Sequence, residues 1–221
     1  MGYSVILQVR GRRAVVVGGG KVAARKIRGL LEAGADVVMI APKAEPELQA
    51  LAAAGTIGWC IKTFAPGDLD GAFLVIAATN DRGVNEAVAQ AAAPGQLVNV
   101  VDDPERCDFH VPAVVRRGPL TIAVSTEGAS PAVARRIRRE LEEQYGEEYG
   151  PYLEFLQRAR DIVLREVDDV EGRKRLFRAL AADSFRQNGR WDEELAGLLA
   201  KEKERGEERR GENDEDSNIH C

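Results

Sequence analysis

The sequence predicts an α/β chain: a doubly wound parallel sheet, then a strand–helix segment, then a small helical domain. Three observations lead there. Short apolar runs at 14–17, 36–40, 73–77 and 97–101 alternate with amphipathic stretches of about ten residues, the pattern of parallel strands with crossover helices. The glycine run Gly18-Gly19-Gly20 joins the first apolar run to the first amphipathic stretch. Beyond residue 112 the alternation stops, and from Pro151 onward the periodicity is helical throughout.

Taken in order, residues 3–8 are a short apolar lead-in that could add to the sheet or cover its face. Residues 14–17 are apolar throughout, as suits a strand buried on both faces. A helix over 22–33 sets Val22, Ile27, Leu30 and Leu31 against Arg25, Lys26, Arg28 and Glu32, and Gly34 closes it. Strand 36–40 stops at Ala41-Pro42, a helix over 45–54 ends at Gly55, and 57–64 reads as a third strand. Pro66-Gly67-Asp68 turns into strand 73–77, Thr79-Asn80-Asp81 can cap a helix over 84–93, and strand 97–101 runs into Asp102-Asp103-Pro104. Then come a strand at 120–125 and a helix from Ser130-Pro131 to about Tyr145, with Pro131 in the favoured first position. Helices over 152–167, 172–187 and 192–204 follow. The expected domains are 1–112, 113–147 and 148–204, with 205–221 a charged tail that has no apolar surface to bury and is expected to be disordered.

The 221 residues carry a net charge of −5 and are 44% hydrophobic, so no overall positive field draws the chain to nucleic acid or to a membrane surface. No apolar run reaches the roughly 20 residues of a membrane helix, and the N-terminus lacks the basic and apolar regions of a signal peptide. Three cysteines, Cys60, Cys107 and Cys221, make no disulfide framework and point to a reducing cytoplasm.

The spacing Gly18-x-Gly20-x-x-Ala23 is that of a Rossmann-type phosphate turn. Gly18 lets the chain leave the strand sharply, Gly20 lets a pyrophosphate approach the backbone, and Ala23 lets helix and sheet pack closely. The acidic residue that commonly follows the second strand and binds the ribose is replaced by Ile40-Ala41-Pro42-Lys43. Lys43 could meet an NADP phosphate, or backbone near Pro42 a plain ribose, and residue chemistry alone leaves both open. Asp102, the first carboxylate beyond a strand at the loop-bearing edge, could move protons if partly shielded from water; the alternative is a plain turn before Pro104. Cys107 and His110 stand three apart, but the other histidine is His220 in the tail, so no permanent metal site is expected. Arg135, Arg136, Arg138 and Arg139 form a basic helix face, read as a solvated face paired with Glu140, Glu142 and Glu143.

Several segments in order resemble one family. They are 17–26, 31–35, Ala41-Pro42, 77–81, Asn99-Val100-Val101-Asp102, Cys107-Asp108-Phe109-His110-Val111-Pro112-Ala113 and 123–132. They are similar to precorrin-2 dehydrogenase, the N-terminal module of siroheme synthase, some members of which also insert iron into sirohydrochlorin. The resemblance covers roughly residues 3 to 165. It implies NAD as cofactor, held at Gly18, Gly19, Gly20, Lys21, Val22, Pro42 and Lys43, with Thr79 and Asn99 in matching motifs as further contacts. It implies Asp102 as the catalytic aspartate. It implies a homodimer with an intertwined segment near 114–146. The stretch with Ser125, Thr126 and Ser130 would then line a tetrapyrrole cleft, and Arg135 would meet carboxylates of precorrin-2 or sirohydrochlorin. With no methyltransferase segment, the chain reads as a stand-alone enzyme; metal insertion is left open. Two rival readings are a non-enzymatic NAD-sensing regulatory domain and an NADP-dependent reductase resting on Lys43.

Overall fold

The computed structural model describes residues 2–217, with side chains through residue 207. The chain divides into two compact units, Met1–Val111 with Thr126–Ser130, and Pro112–Ser125 with Pro131–Cys221.

The first unit is a five-stranded parallel sheet of β1 (Arg13–Val17), β2 (Asp36–Ile40), β3 (Gly58–Cys60), β4 (Leu74–Ala77) and β5 (Leu97–Val100), in the order β3-β2-β1-β4-β5. Alternate residues of each strand enter opposite cores. Ala14, Val16, Val37, Met39, Leu74 and Ile76 pack with Ala23, Ala24 and Ile27 of α1 (Lys21–Glu32) and Leu48 of α2 (Pro46–Ala53). Val15, Val17, Ile40, Val75, Ala77, Val98 and Val100 pack with Val88 of α3 (Arg82–Ala91) and with Leu69. Helices on both faces explain why these strands are apolar throughout rather than alternating. The strand order reverses between β1 and β4, the switch point beside which open sheets of this kind bind ligands.

The expected strands agree except at two places. The third shrinks from 57–64 to three residues, because Ile61, Lys62 and Thr63 are exposed and β3 is an edge strand. The lead-in 3–8 joins no sheet; its Tyr3, Val5 and Ile6 are exposed, and the first buried residue is Val9.

In the second unit, β6 (Ala113–Arg117) and β7 (Leu120–Val124) form an antiparallel hairpin around Gly118-Pro119, and only the second of these strands was legible in the sequence. Helix α4 (Pro131–Gln144) packs on both strands. Then follow α5 (Tyr149–Glu166), α6 (Val170–Leu180), α7 (Asp183–Asn188) and α8 (Trp191–Ser217). Their core is Tyr152, Phe155, Ala159, Val163, Leu176, Leu180, Phe185, Leu195 and Leu199.

Three expectations change here. Of the segment expected to stand apart at 113–147, residues 113–125 and 131–147 share one unit with the C-terminal helices and 126–130 fall in the first unit. The helix expected over 172–187 is two helices: the chain turns extended at Ala182, and the Tyr152 hydroxyl donates to the Leu180 carbonyl at the end of α6. The backbone beyond residue 204 continues helical to Ser217, where disorder was expected. Glu, Lys and Arg are good helix formers. The last four positions of that tail, 218–221, lie outside the described residues.

Among the described residues no helix is long and apolar enough to cross a membrane, and no group of three His, Cys, Asp or Glu is placed to hold a metal ion.

Candidate active site

The glycine turn follows β1 at the switch point, and each glycine answers to a different neighbour. Gly18 has φ +124°, and a Cβ there would lie 2.3 Å from the Ala78 carbonyl oxygen at the end of β4. A Cβ on Gly19 would lie 2.2 Å from the Lys43 carbonyl oxygen and 2.9 Å from the Ala44 Cα. The Glu45 amide donates to the Gly19 carbonyl at 2.8 Å, so the Pro42–Lys43 loop lies directly on the turn. Gly20 is different: nothing lies within 4 Å of a Cβ built there. It is the N-cap of α1, has no side chain to cap the helix, and the first turn of α1 carries no acidic residue. Amide groups of that first turn have no partner within the helix, and with the open space over Gly20 they suit a phosphate. The sequence assigned Gly18 and Gly20 their roles; the tight packing under Gly19 carries no local signal.

Lys21 and Lys43 are exposed, and Val22 is half-buried against the core. Thr79, just past β4, is held by Asn85. The Thr79 amide donates to Asn85 Oδ1 at 3.1 Å, and Asn85 Nδ2 returns a bond to the Thr79 carbonyl at 3.1 Å. Asp81 Oδ1 caps α3 by accepting from the Gly83 and Val84 amides at 2.8 and 3.1 Å.

The loop after β5 is tied at its base by three side chains. Asp108 Oδ2 accepts from the Val98 amide at 2.9 Å. Asn99 is buried, and its Nδ2 donates to the Phe109 carbonyl at 2.8 Å. The Val100 amide donates to Cys107 Sγ at 3.2 Å. Asn99, expected at the cofactor, therefore points its amide nitrogen into the loop's own backbone. Cys107, which the sequence presented as one of a weak pair with His110 and as the start of a segment resembling the family, packs against the sheet core. Burial pushes its thiol up from the usual thiol range, so at neutral pH it is an S–H. On α1, burial together with the neighbouring Arg25 lowers the Lys26 ammonium.

Asp102 stands at the tip of this loop. It is exposed, so the partial shielding from water expected of it is not seen among the described residues. Its backbone is left-handed, φ +62°, within a turn closed by the Asp103 amide on the Val100 carbonyl at 3.4 Å. Such a position favours glycine, and aspartate is among the few other residues that tolerate it in a turn.

Of the remaining candidates, Thr126 and Ser130 belong to the first unit, and Ser125 and Arg135 to the second. The Ser130 amide donates to Thr126 Oγ1 at 3.2 Å, closing a turn with left-handed Glu127 and Gly128. On α4, Arg136 pairs with Glu140 at 3.6 Å and Arg138 with Glu142, the solvated pattern expected of that face, whereas Arg135 is exposed.

Residues 5–113 match a family model described as NAD(P)-binding, and 117–144 match the sirohaem biosynthesis protein central model. The solved structure of SirC, precorrin-2 dehydrogenase, superposes with TM-score 0.79 at 32% identity, covering 90% of this chain and 100% of that one. The chain belongs to the precorrin-2 dehydrogenase and siroheme synthase family. Among the relatives, siroheme synthase 3 of Aeromonas hydrophila is 39% identical over 89% of this chain, and siroheme synthase of Chromobacterium violaceum 43% identical over 79%. This family member spans 42% and 37% of the length of those two proteins. Its first unit is an NAD(P)-binding domain.

Proposed function

We propose that this chain oxidises precorrin-2 to sirohydrochlorin with NAD, with Asp102 as the base. The observation that carries the reading is a left-handed aspartate after β5, on the same edge of the parallel sheet as an open phosphate turn after β1. Likeness to SirC along its whole length supports the substrate.

The residues present fit the cofactor. Gly20 and the first turn of α1 would hold its pyrophosphate, with Gly18 and Gly19 shaping the turn and Lys21 and Val22 beside it. Pro42 and Lys43 would lie at the adenosine end, and Thr79 at the mouth of the β1/β4 crevice. When bound, the nicotinamide supplies the hydride acceptor. The chain supplies position and the proton path: the substrate loses one hydrogen as hydride and one as a proton, and the Asp102 carboxylate takes the proton. Ser125, Thr126, Ser130 and Arg135 are the proposed contacts for the substrate's carboxylates and ring edge. The enzyme is proposed to be a cytoplasmic homodimer. A purely regulatory NAD sensor would not need the segment that matches the sirohaem central model at 117–144.

The test follows the absorption spectrum of purified protein with precorrin-2 and either NAD or NADP. Appearance of sirohydrochlorin with NADH supports the reading. Preference for NADP would overturn the cofactor assignment, and tight nucleotide binding without turnover would overturn the activity. Adding ferrous or cobalt ions to sirohydrochlorin without NAD decides whether metal insertion belongs to the same chain.

A further inference from the structure

We infer that Cys107 is the positioning residue of the reaction: its thiol clamps the backbone on both sides of Asp102 and holds the carboxylate where the substrate meets it. The inference rests on the reading of Asp102 as the base. Four bonds place the sulfur. It accepts from the Val100 amide at 3.2 Å and lies 3.5 Å from Asn99 Nδ2. Its own hydrogen is shared between the Val100 carbonyl and the Asp103 carbonyl, each 3.2 Å away. Val100 lies two residues before Asp102 and Asp103 one residue after it, so one side chain ties both ends of the strained turn.

The clamp has a task. A non-glycine residue at φ +62° persists only where its surroundings over-determine it, and this turn's own closing bond is long at 3.4 Å. From outside, Arg106 braces the same loop by bonding Asp103 Oδ2 at 2.7 Å and Glu86 Oε1 of α3 at 2.6 Å. Arg106 is an exposed brace, and its ion pairs are weakened by water. The thiol is half-buried against the core, and because it keeps its proton it can accept and donate at once. A thiolate could not make the two carbonyl contacts, and an alanine could make none of the four. A serine could make the same pattern through a shorter reach.

The experiment combines turnover with a stability cycle on the full chain. Cys107→Ala is expected to lower kcat for precorrin-2 oxidation by about tenfold or more, because small misplacements of a reacting group cost rate steeply. The NAD dissociation constant should stay within about twofold of wild type, since the phosphate turn is untouched. Cys107→Ser should recover most of the kcat. Independently, Cys107→Ala should lower the unfolding midpoint of the wild type more than that of Asp102→Gly, in which the turn is relaxed and needs no clamp. Wild-type kcat in Cys107→Ala, failure of Cys107→Ser to recover kcat, or equal losses of midpoint in the two backgrounds would each overturn the inference. Wild-type turnover in Asp102→Asn removes the base itself, and with it the catalytic meaning of the clamp. A coupled unfolding midpoint in that case still shows that the thiol holds the turn, which separates the two failures.

Discussion

A single Cβ distinguishes the three glycines of the phosphate turn. At Gly18 and Gly19 an added methyl meets main-chain atoms at 2.3 and 2.2 Å, and main chain cannot swing aside as a side chain does. Gly20→Ala meets nothing, and Gly20 has an ordinary negative φ of −86°. Gly20→Ala is therefore expected to fold with stability within about 1 kcal/mol of wild type, while a ligand that needs the space over Gly20 loses affinity. Gly19→Ala is expected to lower stability by about 2 kcal/mol or more, the scale of overpacking, and to lose binding as a consequence. Denaturant unfolding beside calorimetric titration with NAD checks both; unaltered NAD affinity in Gly20→Ala would place the phosphate elsewhere. Asp102 illustrates the reverse situation. Its chemical type and its place after a strand were readable, but its exposure and its left-handed backbone were not, because both depend on a loop whose closing bonds come from Asn99, Cys107 and Asp108.

At the scale of elements, the strands were legible because burial on both faces leaves a continuous apolar run that survives in the sequence. The caps of α1 and α3 were legible for a similar reason: Gly34 and Asp81 act on their immediate neighbours. The strength of the β4–α3 junction is a tertiary matter. Asp81 accepts two amides at an exposed helix start, so Asp81→Ala is expected to cost about 1 kcal/mol. Asn85 is buried and exchanges bonds with both the amide and the carbonyl of Thr79, so Asn85→Ala is expected to cost about 2 kcal/mol, the penalty of stranding buried polar groups. Urea unfolding of the two variants ranks them, and a larger loss for Asp81→Ala would contradict this assignment of the junction's stability. The break between α6 and α7 had no local marker, since Ala181-Ala182 suits a helix as well as a turn. The Tyr152 hydroxyl, 28 residues from its acceptor Leu180, accompanies the end of α6.

At the scale of the whole chain, two compact units meet different demands. The first is held by sheet burial, and its buried polar side chains among the described residues are the neutral amides Asn85 and Asn99. The second keeps a buried carboxylate: Glu202, 7% exposed, lies against the Arg175 guanidinium, which also reaches Asp169 at 3.3 Å. The hydrogen bond from Arg175 is the first cause that lowers Glu202 below the usual carboxylate range, with burial opposing it. A carboxyl lowered in the folded state contributes stability that is present above its unfolded pKa. That contribution is lost as pH falls through the folded value. The helical unit is thus expected to lose stability on acidification below about pH 4, the ordinary range for glutamate. Glu202→Gln should be less stable near neutrality and show a flatter decline. Thermal unfolding followed from neutral to acidic pH checks this, and parallel declines in the two proteins would assign the acid sensitivity to other carboxyls.

The sequence by itself determined the parallel sheet, the glycine turn, the helical end and the order of motifs that marks the family. Each of these is written in local periodicity or in fixed short spacings. Only the tertiary structure decided that Gly20 is open while Gly19 is packed, and that the side chains of Asn99 and Cys107 bond within the loop after β5. It also decided that Asp102 stands exposed on a strained turn. Those outcomes depend on contacts between residues from separate elements, or on which way a short loop turns. Neither leaves a period in the chain, so they became legible only once the strands had set the two edges of the sheet.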